Sequence, residues 1–128
     1  VTTWPPGLPG LGTAAERVAE RIQTASEGLI EVNVYAAGEF VPAFEAFDAV
    51  ANGSADMYHG SEYYWTSKST AYPFFTTVPF GMTAQEMMGW IDFGGGQELW
   101  DELSAGYGVK GIQATNTGHQ MGGWSWSQ

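Results

Sequence analysis

The chain has 128 residues, a length that suits one domain and excludes two separate hydrophobic cores. Charged residues make up only 14% and aromatic residues reach 15%, which is typical of a folded chain and not of a disordered one. The formal charge of −10 argues against binding to nucleic acid or to anionic membrane surfaces. The sequence has no cysteine, which excludes disulfides and thiolate metal sites, and no apolar run long enough for membrane insertion.

The first third of the chain alternates between strand and helix patterns. Residues 1–4 are β-branched or aromatic and predict a short strand, which runs into a loop rich in proline and glycine. Thr13 and Glu16 have the spacing of a capping box, so a helix is predicted from there to a stop at Gly28. Alternating apolar residues over 29–36 then predict a second strand.

The middle of the chain repeats this order. A second helix is predicted with Pro42 in its first turn, Phe44 and Phe47 in its apolar stripe, and an end at Asn52-Gly53. A third strand is predicted over 55–59 directly afterwards. Strands that alternate with helices through short loops indicate an α/β fold with a mostly parallel sheet flanked by helices.

The last third begins with a second capping box, Thr83 to Glu86, which predicts a further helix. The glycines at 94–96 separate it from another helical stretch over 97–103. Two final strands are predicted, over 109–115 and over 120–126. No internal repeat or linker divides the chain, so we expect one domain.

Catalytic motifs are absent from the sequence. Residues 10–15 match the loose dinucleotide pattern GxGxxA, with Glu31 near the distance expected for a ribose-binding acid, but prolines occupy the place of the tight turn which that motif needs. His59 ends a predicted parallel strand, where α/β sheets bind ligands, although a structural histidine is the more common case. We therefore expect a protein without enzymatic activity.

An aromatic cluster over 58–65 follows the predicted strand directly. Tyrosine and tryptophan offer flat apolar faces with a polar edge, so these rings suit either the wall of a small-molecule cleft or the core.

Several long stretches resemble the extracytoplasmic solute-binding proteins of tripartite ATP-independent periplasmic (TRAP) transporters, in the branch that binds 2-oxo acids. The resemblance covers nearly the whole chain and is strongest at 35–50, 55–60, 78–87, 94–100 and 116–124. It implies that residues 1–128 form the first α/β lobe of a two-lobed protein whose second lobe is absent here. It also implies a periplasmic location, a small organic carboxylate as ligand, and the transporter's membrane subunits as partners.

The resemblance also implies a binding site. Gln120 matches a glutamine that contacts both the ligand and a bound cation, so a sodium ion completed by the missing lobe is expected. The remaining ligand-binding positions that it implies are the aromatic pair Tyr63 and Tyr64 and the cleft-edge residues Trp4, Phe40, Phe80 and Asn116. Because the family's carboxylate-binding arginine belongs to the second lobe, we expect weak binding by this chain alone. Its exposed cleft face is expected to self-associate.

Two other classes of protein remain open from the residues. A secreted carbohydrate-binding module would use exposed tryptophan and tyrosine to stack on sugars, although such modules are mostly all-β. A fragment of a nucleotide-dependent oxidoreductase would use the glycine loop at 7–12.

Overall fold

The computed structural model describes residues 1–118, and its regular structure is mainly helical. The helices of these residues are α1 (Gly12–Ala25), α2 (Ala46–Ala51), α3 (Ala84–Phe93) and α4 (Gly96–Ala105). Short 3₁₀ turns lie at Ala43–Glu45, Glu62–Trp65 and Tyr72–Phe75. Within the described part, no helix is both long and apolar enough to cross a bilayer.

Helix α1 forms where the sequence predicts it, but the predicted capping box is wrong. The Thr13 hydroxyl accepts a hydrogen bond from the Gly10 N–H at 3.1 Å, and Leu11, the N-cap residue, provides no side-chain cap. Thr13 therefore lies inside the helix, since the N-cap is two residues earlier than the capping-box pattern predicts. The predicted stop is confirmed: Gly28 has a φ of 81°, which glycine adopts without strain.

The later helices follow their predicted order. Pro42 precedes the 3₁₀ turn Ala43–Glu45 instead of opening the helix itself, and α2 ends at Ala51 with Asn52 as its C-cap, at the predicted stop. The second capping box is confirmed, since the Thr83 N–H donates to Glu86 Oε2 at 2.8 Å and the Glu86 N–H donates to Thr83 Oγ1 at 3.3 Å.

The predicted strands form much less regular structure than expected. Residues 1–4 lie between two neighbouring segments: Thr2 forms an isolated parallel bridge with His59, and the Thr2 N–H donates to the Tyr35 carbonyl at 2.9 Å. The parallel direction is therefore as predicted at this bridge. Residues 29–36 and 109–115 form no strand, because exposed side chains such as Leu29 and Ile30 find no core to cover their apolar face. The predicted strand over 120–126 lies outside the described residues.

The core is largely aromatic. Phe47 is completely buried, and its ring centroid lies 5.5–5.8 Å from the rings of Tyr58, Trp65, Tyr72 and Tyr107. The buried cluster contains Ala46, Phe47, Trp65, Tyr72, Phe75, Met87, Ile91 and Trp100. It therefore joins α2, α3 and α4 to the 3₁₀ turns Glu62–Trp65 and Tyr72–Phe75, and it fixes the position of the first of these turns.

Candidate functional site

Four aromatic side chains form a cluster that we call the aromatic wall: the buried Trp4, the partly buried Tyr63 and Tyr64, and the exposed Phe44. The Tyr64 ring lies at the centre, 4.6 Å from the Tyr63 ring, 5.4 Å from that of Phe44 and 6.4 Å from that of Trp4. Edge-on and tilted contacts of this kind are the favourable ones between aromatic rings. The predicted residues Trp4, Tyr63 and Tyr64 are thus brought together.

The backbone explains why these rings meet. The turn Glu62–Trp65 buries Glu62 and Trp65 and leaves Tyr63 and Tyr64 only partly buried, so the turn places two tyrosines toward one side. Trp4 is held beside this turn by backbone hydrogen bonds, since the Ala37 N–H donates to the Trp4 carbonyl at 3.1 Å. The two segments are 58 residues apart in sequence, and the parallel contact between Thr2 and His59 aligns them.

The wall offers neutral polar groups. Burial raises the pKa of Tyr64, and its hydrogen bond with Tyr63 adds to this effect, so the Tyr64 phenol keeps its proton at neutral pH. The lysine and arginine side chains have other positions: Lys68 pairs with Asp48 at 2.6 Å, Lys110 pairs with Asp101, and both arginines lie on α1. The wall can stack on and hydrogen-bond to a small ligand, but it brings no positive charge of its own.

The other predicted positions lie at different distances from the wall. Asn116 is exposed, and the neighbouring Thr115 hydroxyl lies 3.3 Å from His59 Nε2, which brings this segment toward Trp4. Phe40 is half-exposed against Tyr35, in the loop whose Ala37 N–H holds Trp4.

Phe80 is fully exposed and has no ring contact with the wall in residues 1–118. It lies in a turn closed by a 2.8 Å hydrogen bond from the Gly81 N–H to the Val78 carbonyl, and its φ of 59° is unusual for a bulky residue. Gln120, predicted to contact both ligand and cation, lies outside the described residues.

Two members of the site were missed from the sequence. Phe44 was assigned to the apolar stripe of a helix, whereas it is exposed and packs its ring on Tyr64. His59 was considered a structural residue, and it lies edge-on to Trp4 with ring centroids 5.1 Å apart. Burial lowers the pKa of His59, so its ring is uncharged at neutral pH. Its position at the end of a predicted parallel strand was the available signal.

The described residues also form a groove away from the aromatic wall, and its lining is mainly apolar. This apolar groove, of about 840 Å³, lies between the turn Tyr72–Phe75, α3 and α4, and among residues 1–118 Glu102 is the one charged residue that lines it. A carboxylate would lose its hydration in this groove without gaining a cationic partner. The groove is therefore a poor candidate for an anion site.

The glycine loop has a structural explanation. A Cβ at Gly12 would lie 2.4 Å from the Pro5 carbonyl oxygen, so the glycine is needed where the loop passes over the start of α1. This close approach accounts for the pattern at 10–15 without a nucleotide.

Comparisons with known proteins identify the family of the chain. The profile of the bacterial extracellular solute-binding proteins, family 7 (DctP), matches residues 1–124. The monocarboxylate 2-oxoacid-binding periplasmic protein of Nostoc sp. is 41% identical over 123 residues, which are 96% of this chain and 34% of that relative. The chain thus spans about a third of the length of the curated relative that it matches.

Solved structures give the same result. A TRAP periplasmic solute-binding protein of Colwellia psychrerythraea, with bound calcium and pyruvate, superposes with a TM-score of 0.93 at 37% identity, over 99% of this chain and 39% of that chain. One from Pseudoalteromonas atlantica, with bound sodium and pyruvate, gives a TM-score of 0.81 at 39% identity, over 84% of this chain and 32% of that chain.

The fold therefore places the chain with the solute-binding proteins that it matches, whose fold is of the α/β class. The chain belongs to the bacterial extracellular solute-binding proteins of family 7, the solute-binding proteins of TRAP transporters. This family consists of substrate-binding transport proteins, a different class from the carbohydrate-binding module and the oxidoreductase fragment.

Proposed function

We propose that this chain forms one lobe of a periplasmic receptor that captures a small monocarboxylate of the 2-oxo acid class and delivers it to the membrane subunits of a TRAP transporter, without catalysis. The observation that carries the proposal is the aromatic wall, in which the Tyr64 ring contacts the rings of Tyr63, Phe44 and the buried Trp4. The relatives named above that are described as binding pyruvate or 2-oxo acids support the choice of ligand.

The charge distribution supports a site that is shared with the rest of a longer polypeptide. A carboxylate that enters a cleft loses its hydration, and a charge-assisted contact from arginine usually compensates for this loss. The wall supplies neutral hydrogen bonds, worth about 0.5–1.5 kcal/mol each. We expect the missing positive charge to come from outside this chain, so the chain alone binds with a Kd of about 1 mM or weaker, near −4 kcal/mol.

A cation is part of the proposal as a structural ion, since relatives hold sodium or calcium beside pyruvate. Within residues 1–118, no three side chains of histidine, aspartate or glutamate lie close enough to hold a metal ion. The side-chain oxygen of Asn116 already accepts from the Gly118 N–H at 2.6 Å. The proposal therefore gives the ion to Gln120 and to residues beyond this chain.

The proposed function also implies how the chain fits into a larger fold. We propose that residues 1–128 are a single lobe and that its sheet, mostly parallel, is completed by further segments of a longer chain. Exposed apolar side chains at the wall and at the groove favour self-association when this chain is alone.

The test is a pyruvate titration of the chain and of two tyrosine variants, in which nuclear magnetic resonance measures the binding. Tyr64→Phe removes a hydroxyl at the centre of the wall and should weaken binding by roughly two- to tenfold, the value of one neutral hydrogen bond. Tyr35→Phe is the matched control, since that half-exposed ring packs on Phe40 outside the wall. Equal affinity of Tyr64→Phe and Tyr35→Phe would contradict the proposed site.

A further inference from the structure

Glu62 is a carboxyl group buried directly behind the aromatic wall. It is the first residue of the turn that carries Tyr63 and Tyr64, and only 6% of its surface is exposed. The Tyr58 hydroxyl donates to Glu62 Oε1 at 2.8 Å, whereas Oε2 is buried with no hydrogen-bond partner in the described part of the chain. A buried carboxyl oxygen without a hydrogen-bond partner destabilises the folded chain when the carboxyl is ionised.

The surroundings of Glu62 favour its neutral form. The neighbouring titratable groups are phenols: Tyr58 on the preceding segment and Tyr72 on the next 3₁₀ turn, with Tyr107 behind Tyr72. The nearest cation in sequence, Lys68, is paired with Asp48. Burial raises the pKa of Glu62 to about 7, and the hydrogen bond from Tyr58 only partly offsets this.

The neighbours of Glu62 do not change charge near neutral pH. Burial, together with the nearby carboxyl of Glu62, raises the pKa of Tyr58 well above its ordinary value, and burial raises that of Tyr72 as well. Burial lowers the pKa of His59 below 6.5, so its imidazole is already mostly neutral at pH 6.5. Between pH 6.5 and 8, Glu62 is the side chain of this cluster that gains a charge, and the Val1 ammonium near His59, whose pKa burial lowers from 8.0, loses one.

We propose that Glu62 is a positioning residue that makes carboxylate binding at the aromatic wall depend on pH. In its neutral form the carboxyl fits a dry site and holds the turn Glu62–Trp65 against Tyr58. In its ionised form it draws water into that site, loosens the turn that carries both tyrosines, and places a negative charge behind a surface that must accept an anion. The inference rests on the function proposed above for the wall.

The experiment compares pyruvate binding at pH 6.5 and pH 8.0 in the chain, in Glu62→Gln and in Glu45→Gln. With a midpoint near 7, the neutral fraction of Glu62 falls from about three quarters to about a tenth, so the Kd of the chain should rise by up to about eightfold. Glu62→Gln keeps the shape and the acceptor without the charge, and its Kd should be the same at both pH values. Glu45→Gln, a change at an exposed carboxylate near α2, should behave like the unmodified chain.

The outcomes separate the two proposals. If pyruvate shifts the wall resonances equally at both pH values in every protein, the wall binds but Glu62 does not control it, and this inference is wrong. If pyruvate shifts no wall resonance in any of them, the proposed function fails and the inference fails with it. A carbon-13 titration of the Glu62 carboxyl in the unmodified chain needs neither ligand nor variant: a midpoint near 7 is expected, and one near 4.5 would overturn the proposal.

Discussion

Phe47 should be the side chain on which the core depends most. It is completely buried, touches four aromatic rings, and has the Lys68 ammonium 5.1 Å from its ring centroid. Replacing a buried phenylalanine by alanine costs about 3–5 kcal/mol. A chain of this length is stable by roughly 6–19 kcal/mol, so Phe47→Ala removes a large part of that stability.

The measurement is urea unfolding followed by tryptophan fluorescence and circular dichroism, with Phe44→Ala as the matched control. Both variants lose the same atoms within the segment 43–51, but Phe44 is 68% exposed and should cost below about 1 kcal/mol. Near the melting temperature, a loss of about 3–5 kcal/mol corresponds to roughly 10–20 °C. Equal destabilisation by the two variants would refute the assignment of Phe47 to the centre of the core.

Three further predictions concern the cap, the turn and the buried carboxyl. Thr83→Ala should cost about 1 kcal/mol because the hydroxyl caps α3, and urea unfolding measures it; no loss would contradict the capping box. Phe80→Gly should raise the melting temperature by relieving the positive φ, whereas Phe80→Ala should not; the same effect from both would refute strain. The pKa of Glu62 is higher in the folded chain, near 7, than in the unfolded one, near 4.5, so stability should fall as pH rises between these values, by up to about 3 kcal/mol in total. The urea midpoint of Glu62→Gln should not fall as pH rises over this range. If the midpoint of the variant fell as much as that of the unmodified chain, the pH dependence would come from another group.

The helices could be predicted from local signals. The glycines that end α1 and α2 adopt positive φ, and the Thr83–Glu86 cap acts over three residues, so each of these features is encoded within one turn of chain. The wrong prediction at Thr13 also has a local cause, because the Thr13 hydroxyl accepts a hydrogen bond from the Gly10 N–H in the proline-rich loop. Strands were harder to predict because an extended segment depends on partners that are distant in sequence.

The site was predicted only in part. Tyr63 and Tyr64 were identified because they follow a strand-like segment and match a family pattern, and Trp4 joins them through backbone contacts. Phe44 was missed because helical spacing places it on the same stripe as Phe47, although a 3₁₀ turn precedes α2 and redirects its side chain. The burial of Glu62 has no local signature, since it arises from the packing of three separate segments around one turn.

The most direct test of the central claim is a residue-resolved titration of nitrogen-15-labelled chain with pyruvate. The account predicts shifts confined to Trp4, Tyr63, Tyr64 and their neighbours, with a Kd of about 1 mM or weaker because the wall supplies no cation. Micromolar affinity would show that the site is complete within these residues. Shifts centred on the apolar groove between α3 and α4 would show that the carboxylate binds somewhere other than the aromatic wall.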